Sequence, residues 1–592
     1  MADEARRDWE RRIGRRSDSA TVTAAPRLPP PEHVEAEGGA GQVTIRWSPV
    51  EGAVGYLVLR DGDRVDHGSR DVLITPGPVY CDTTGERGRT YEYSLAALAD
   101  VAAEPGPASE GVAAASTAEP AGPLELRVDA SNVAGRLERP WRMVGSEHLS
   151  QVTYGEGPGG SDIGREFSES LKLAHEELGV ELVRAHAILH DELGVVADDG
   201  SIHLEGIFRV YDRVLELGVR PVVELSFMPK ALAADPDASV FQYRGLISPP
   251  SDWDRWEELN RVLAEGLVSR YGIEEVARWG FEVWNEPNLE VFWAGTQGDY
   301  FRLYETSARA IKGVDERLLV GGPSTAAAGW IVDFLDFVVE QDVPLDFVST
   351  HTYGNRPVDV RGALRVRGLD DVQVWWTEWG VTPTHFYDVT DSVYGAPFVL
   401  HGMKSAHGRI EALAYWVVSD HFEELGRAET LLHGGFGLMT IGNLRKPRWW
   451  ALALAQQLGD DLLETELTGD GARSLVDVWA ARREDGTVDV LVWNGTLEQA
   501  KGDGDPLLDR TVRISVDGLG VSDATVARVD HAHSNLAARW NKSHDWPTPE
   551  EWERLRAEDR LDEETLGAVD HAQLELRIPQ PGVARLRLTP RE

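Results

Sequence analysis

Between Leu124 and Gly459 short apolar runs alternate with amphipathic stretches, and this alternation restricts the fold more than any other feature. VELVRAHAIL, VRPVVELSFM, WGFEVWNE, LLVGGP, LDFVSTHTY, VQVWWTEWG and ALAYWVVSD are β-prone runs, several bounded by Gly or Pro. Between them, IFRVYDRVLELG (Ile207 to Gly218) and WDRWEELNRVLAEGLVSRYG (Trp253 to Gly272) carry apolar residues at helical spacing. A less marked strand over Trp141 to His148 brings the count to eight units, the number that closes a (β/α)8 barrel. An open doubly wound sheet would need a phosphate-binding turn after its first strand. GEGPGGSD (Gly155 to Asp162) is rich in glycine but lacks that pattern. The expectation is an α/β protein with a TIM barrel over residues 124–460.

The chain has 592 residues, more than the roughly 250 a barrel needs. VTIRWSPV, GYLVLRDG and YEYSLAAL alternate in period 2 between turn residues and predict a small β-sandwich over 26–118. With Trp47 and Tyr91 at the core-tryptophan and tyrosine-corner positions, this segment resembles a fibronectin type III module. STAEPAGP reads as the linker out of it. Strands return over 461–592, predicting a second β-sandwich interrupted by a charged helical insertion, Thr548 to Leu561. Residues 1–25 show no hydrophobic period and predict a disordered N-terminus.

Acidic residues number 99 against 59 basic ones, a formal charge of −40. Such a surface repels nucleic acid and anionic membranes, leaving small neutral or cationic ligands as partners and a homo-oligomer open. The single cysteine, Cys81, permits no intrachain disulfide. No secretory signal and no 18-residue apolar run occur, so the expectation is a soluble cytoplasmic protein.

Barrel enzymes build their sites at the C-terminal ends of the strands. Glu286, in VWNEP, follows the fourth strand, and Glu378, in VWWTEWG, ends the seventh. A lone Glu286 would read as a helix cap. Two strand-end carboxylates across a barrel mouth instead match what glycoside hydrolysis needs: one protonates the leaving oxygen, the other attacks or activates water. No His/Asp/Glu cluster has metal-ligand spacing, so neither metal nor cofactor is expected.

SRYGIEEVARWGFEVWNEPNLEVFW, VPLDFVSTHTY, YWVVSDHFEE and HGGFGL, in this order, resemble the β-xylosidases of glycoside hydrolase family 39, and RVDHAHSN resembles a late turn of that family. The resemblance implies a retaining, exo-acting β-glycosidase without metal or cofactor, with Glu286 as general acid/base and Glu378 as nucleophile. It implies that Asn285 bonds the sugar 2-hydroxyl and that His186 with Asp191 or Glu192 grips hydroxyls, although these two carboxylates could equally bind backbone amides. Glu423 and Glu424 would bind the terminal sugar, and Phe292 would form a wall. His351 and Tyr353 alternate at the end of the sixth strand, so both can face the barrel mouth. They could be a structural pair or could orient Glu378. Trp416 offers a flat face for a sugar ring, or packs in the core. His433 reads as loop scaffold. The chain departs from the family at Ala187, where Gly is usual, and after the nucleophile, where WGVTPTHFYD lacks an Asn and leaves open whether His385 or Tyr387 replaces a Tyr. β-Glucosidase, β-galactosidase and α-L-iduronidase activities remain as alternatives, as does a non-catalytic carbohydrate-binding protein. An iduronidase should place Lys or Arg beside the sixth strand, where only Arg356 follows.

Overall fold

The computed structural model describes residues 2–15, 25–67, 73–155, 162–422, 424, 428–540, 545–569 and 573–591. Eight parallel strands close into a barrel: Met143–His148, Leu182–His186, Arg220–Glu224, Gly280–Glu282, Val320–Thr325, Phe347–Tyr353, Gln373–Gly380 and Ala412–Tyr415. Seven fall on the apolar runs of the sequence, as strands covered on both faces do, and the first falls on the less marked stretch at Trp141 to His148. Helices cross the outside between them, Glu205–Glu216 and Trp253–Tyr271 among them. This is the (β/α)8 arrangement. The N-terminal end of the barrel is plugged by Met143, Leu182, Val222, Phe347 and Trp375, with the last two rings stacked at 4.1 Å. Above that dry layer the inward positions turn polar, at Arg184, Glu224, Glu282 and Thr377, all buried.

The strand Leu124–Arg136 does not enter the barrel. It pairs antiparallel with Asp461–Thr468 and parallel with Arg510–Asp517 inside a nine-stranded sheet built otherwise from the C-terminal region. The barrel unit therefore begins at Met143, which corrects a boundary at Leu124. The reason lies in LELRVD, which buries every second residue, the habit of an antiparallel sheet with one wet face. Leu126, Val478, Val490, Ile514 and Leu586 of this sheet share one apolar core. The helical insertion forms as Pro549–Glu558, with a capping box between Thr548 and Glu551. Its Leu555 packs against Leu431 and Leu444, in the segment that follows the eighth barrel strand.

Residues 25–118 form a three-stranded sheet (Glu35–Gly39, Gln42–Arg46, Val79–Asp82) and a four-stranded one. The latter holds Asp63–Arg64, Gly55–Arg60, Tyr91–Leu98 and Val112–Ala114. Val43, Ile45, Trp47, Tyr56, Tyr93 and Leu95 share a core between them. The Tyr91 hydroxyl accepts a hydrogen bond from the Glu86 amide, 3.0 Å away. The unit is fastened to the rest of the chain by Asp470, whose carboxylate accepts from the Ala40 amide at 2.6 Å and pairs with the buried Arg510 at 2.9 Å.

The expected disorder over residues 1–25 is overturned for the first part: Ala2–Ile13 is an α-helix. Trp9 and Ile13, four apart, lie on one face, and Trp9 is buried. Two apolar residues among so many charges make no visible period in the sequence. Residues 16–24 lie outside the described residues, as does most of the glycine-rich run at 155–162. No described helix is long and apolar enough to cross a membrane.

Candidate active site

A cavity of about 260 Å³ opens at the C-terminal end of the barrel, lined by His186, Asn285, Glu286, Phe292, Tyr353, Glu378, Trp416 and Glu424, together with Leu289, Thr352 and Phe436. Glu286 does not cap the next helix: Gln297–Val314 is capped by Thr296 with Asp299. It sits instead in a turn with left-handed φ at Trp284 (72°) and at Glu286 itself (44°), backbone that non-glycine residues adopt at a cost of about 1–3 kcal/mol. Its amide is tied to the Ser324 carbonyl at 2.8 Å, which fixes that turn against the fifth strand.

Glu378 is held by two donors. The Tyr353 hydroxyl donates to Oε2 at 2.7 Å, and the Arg184 guanidinium donates to Oε1. Burial pushes the Glu378 carboxyl above the usual glutamate range, while Arg184, His186 and Tyr353 hold back part of the rise. One oxygen of Glu286, one of Glu378 and one ring nitrogen of His351 all lie within 4.8 Å of one another. Such a trio could hold a cation, but the Arg184 charge already engages Glu378.

His351 is buried and its pKa lies well below the usual histidine value, from burial first and then from the Arg184 and His186 charges. Its Nδ1 is 2.9 Å from Glu286 Oε1 and its Nε2 is 3.1 Å from Thr377 Oγ1. The Thr377 hydroxyl donates to Glu282 at 2.7 Å. Having spent its proton there, Thr377 can only accept from His351 Nε2–H, which leaves the neutral ring's Nδ1 as an acceptor facing Glu286.

Arg184, Glu224 and Glu282 escaped the sequence reading. Arg184 is fully buried, pairing with Glu224 at 2.6 Å and Glu282 at 2.8 Å and donating to Asn285 Oδ1 at 2.8 Å. Burial opposes its charge, but the three carboxylates around it outweigh burial and hold it protonated. Glu224 accepts from His186 Nδ1 at 2.9 Å, turning Nε2 toward Glu424 at 3.6 Å. The one trace in the sequence is a charge inside each otherwise apolar run, which gains meaning only when the closed barrel brings these charges together.

The Trp416 ring stands 5.0 Å from that of His186. Gly145 makes room for it, since a Cβ there would meet Trp416 Cε3 at 2.3 Å. Burial and the neighbouring charges of Glu147, Glu378 and Glu286 push the Glu424 carboxyl well above its ordinary value. Glu423 lies outside the described residues. Asp191 does not join the site: it sits on an exposed turn, where its carboxylate accepts from the Lys230 amide at 3.1 Å. Glu192 is exposed too and accepts from Tyr154 at 3.2 Å. His385 is buried against Phe422, ring to ring at 5.2 Å, and His433 lies beside it. Arg356 lies away from the cavity, near His401 at 3.3 Å.

The match to known proteins decides the family. The model of glycosyl hydrolases family 39 matches residues 124–569. The chain belongs to that family. This family 39 glycosidase is 33% identical over 407 residues to a β-xylosidase of Geobacillus stearothermophilus, covering 63% of this chain and 77% of that protein. It is 32% identical over 447 residues to a β-xylosidase of Caldicellulosiruptor saccharolyticus, covering 70% and 87%. Among solved structures, a monomeric β-xylosidase of Caulobacter crescentus superposes with a TM-score of 0.70 at 29% identity, covering 79% of this chain and all of that one. Membership of this family makes the chain an enzyme, and the non-catalytic alternative falls.

Proposed function

We propose that this glycosidase removes terminal β-xylosyl residues from small xylosides and xylo-oligosaccharides with retention of configuration. The observation that carries the mechanism is the approach of Glu286 and Glu378, whose oxygens come within 4.8 Å. Retaining enzymes hold their carboxyls about 5–5.5 Å apart, whereas inverting ones leave about 6.5–9.5 Å for a water. Glu286, facing a neutral acceptor nitrogen on His351, is suited to carry a proton and give it to the glycosidic oxygen. Glu378, held by Arg184 and Tyr353, attacks the anomeric carbon as that bond breaks, and the alcohol departs. Glu286, now ionised, takes a proton from water as the water attacks the same carbon, which releases the sugar and frees Glu378. Asn285 has its oxygen committed to Arg184, which leaves its amide group for the 2-hydroxyl.

The glycone assignment rests on the relatives named β-xylosidase and on the charge of the cavity. No Lys or Arg occurs among its described lining residues, so no cationic side chain there meets a uronic carboxylate. We also read the N-terminal unit as fibronectin type III-like, on its three-plus-four strands, the buried Trp47 and the Tyr91–Glu86 bond, and the nine-stranded sheet as an accessory sandwich curled about one core. The buried, unpaired Cys81 accords with a cytoplasmic location. A panel of nitrophenyl glycosides tests the glycone: the xyloside should lead the glucoside, galactoside and iduronide. In the same assay Glu378→Ala should be inactive and regain turnover with azide as the inverted glycosyl azide. Preference for another glycoside would reassign the sugar, and normal rates in Glu378→Ala would remove the nucleophile.

A further inference from the structure

The helix Ala2–Ile13 lies across the mouth of the barrel. In the middle of the helix the Arg6 guanidinium donates to the Phe386 carbonyl at 3.5 Å and stands 5.9 Å from the Tyr387 ring, both in the loop after the strand of Glu378. One turn later Trp9 packs edge-on to Phe292 at 5.9 Å, and just past the helix the Arg15 carbonyl accepts from the Glu290 amide at 3.3 Å, both in the loop after Glu286. The helix thus bridges the loop that carries Glu286 and the loop that follows the strand of Glu378. Trp9, Glu10, Ile13 and Gly14 line the same cavity as Glu286 and Glu378.

The side of the cavity matters. Trp416, His186 and Glu424 cluster beside Glu378, where the attacked ring must sit. Trp9 meets Phe292, downstream of the proton donor, and the glycosidic oxygen departs toward Glu286. The helix therefore stands where a second and third sugar unit would extend. Trp9 cannot serve as their stacking platform: it is 5% exposed, with its ring taken up by Phe241 at 5.7 Å, Phe292 and the Arg12 guanidinium at 5.6 Å. It is the anchor of the helix. A twelve-residue helix is marginal alone in water, so this one persists by docking through Trp9.

We infer that the helix Ala2–Ile13 is the wall of the leaving-group side, supplied by the same chain, and that it restricts the enzyme to glycosides with short aglycones. This rests on the reading of Glu286 as the proton donor. The test compares kcat/KM on xylobiose and xylotetraose for the full chain, for Trp9→Ala, which undocks the helix, and for Ile13→Ala, which trims the wall while leaving Trp9 in place. The full chain should favour xylobiose. The xylotetraose-to-xylobiose ratio should rise roughly tenfold in Trp9→Ala and by less in Ile13→Ala, the scale on which relief of a steric contact shifts substrate preference. An unchanged ratio in both variants, or a full chain that cleaves the two equally, overturns the inference. If the nitrophenyl panel shows a different glycone, the same ratio is taken on its di- and tetrasaccharide, so an error in the sugar is told apart from an error about the wall.

Discussion

At the scale of single residues, Glu378, the proposed nucleophile, is a buried carboxylate whose ionisation depends on its donors. Burial raises the Glu378 pKa, and the Tyr353 hydroxyl lowers it by bonding the charged form. Activity needs Glu378 ionised, so it is lost as pH falls through that pKa. Tyr353→Phe removes a stabiliser of the anion, and the acid limb of kcat/KM should move up by roughly one pH unit, the equivalent of about 1.4 kcal/mol. The alkaline limb, set by Glu286, should stay. A pH profile of the two proteins reads this directly, and an acid limb that stays or moves down contradicts the role given to Tyr353. Glu286 and Glu378 were legible in the sequence because each follows a buried strand in a Trp-rich setting. Arg184 was not, because inside VELVRAHAIL a single charge does not disturb an apolar run, and only the closed barrel brings three carboxylates around it.

Elements set the pocket as much as residues do. The eight barrel strands were legible because strands buried on both faces are nearly continuous apolar runs. The strand Leu124–Arg136 falls inside the bounds expected for the barrel, although its alternation speaks for a half-exposed sheet. The N-terminal helix was illegible because its apolar face amounts to Trp9 and Ile13, and its stability comes from docking. The first barrel strand shows what an element contributes to the site. Gly145 leaves the space that Trp416 fills, and its carbonyl accepts from the Val418 amide at 2.9 Å, so the strand cannot draw back. Gly145→Ala should displace the Trp416 ring, raise KM for the xyloside about tenfold and cost about 1–3 kcal/mol of stability, as overpacking does. Michaelis constants and urea midpoints check this, and an unchanged KM would take Trp416 out of the sugar-binding wall.

Across the whole molecule, the N-terminal unit and the nine-stranded sheet are joined by a charge that cannot be left alone. Arg510 is fully buried and its one carboxylate partner among the described residues is Asp470, which also binds Ala40 and Gln42. Asp470→Ala should cost about 3 kcal/mol, because it strands a buried cation. Calorimetry should show the main transition moved to lower temperature, and an unmoved transition would mean that the junction bears no load. The proposed double displacement is tested most directly by trapping its intermediate. Glu286→Ala lacks the proposed proton donor and base, but dinitrophenyl β-xyloside needs no protonation to depart, so the first step should proceed and the second should stall. Mass spectrometry of the digested protein should then find one pentosyl group on the peptide that contains Glu378. Steady release of dinitrophenol with no adduct, or an adduct on any other residue, would contradict double displacement at this pair.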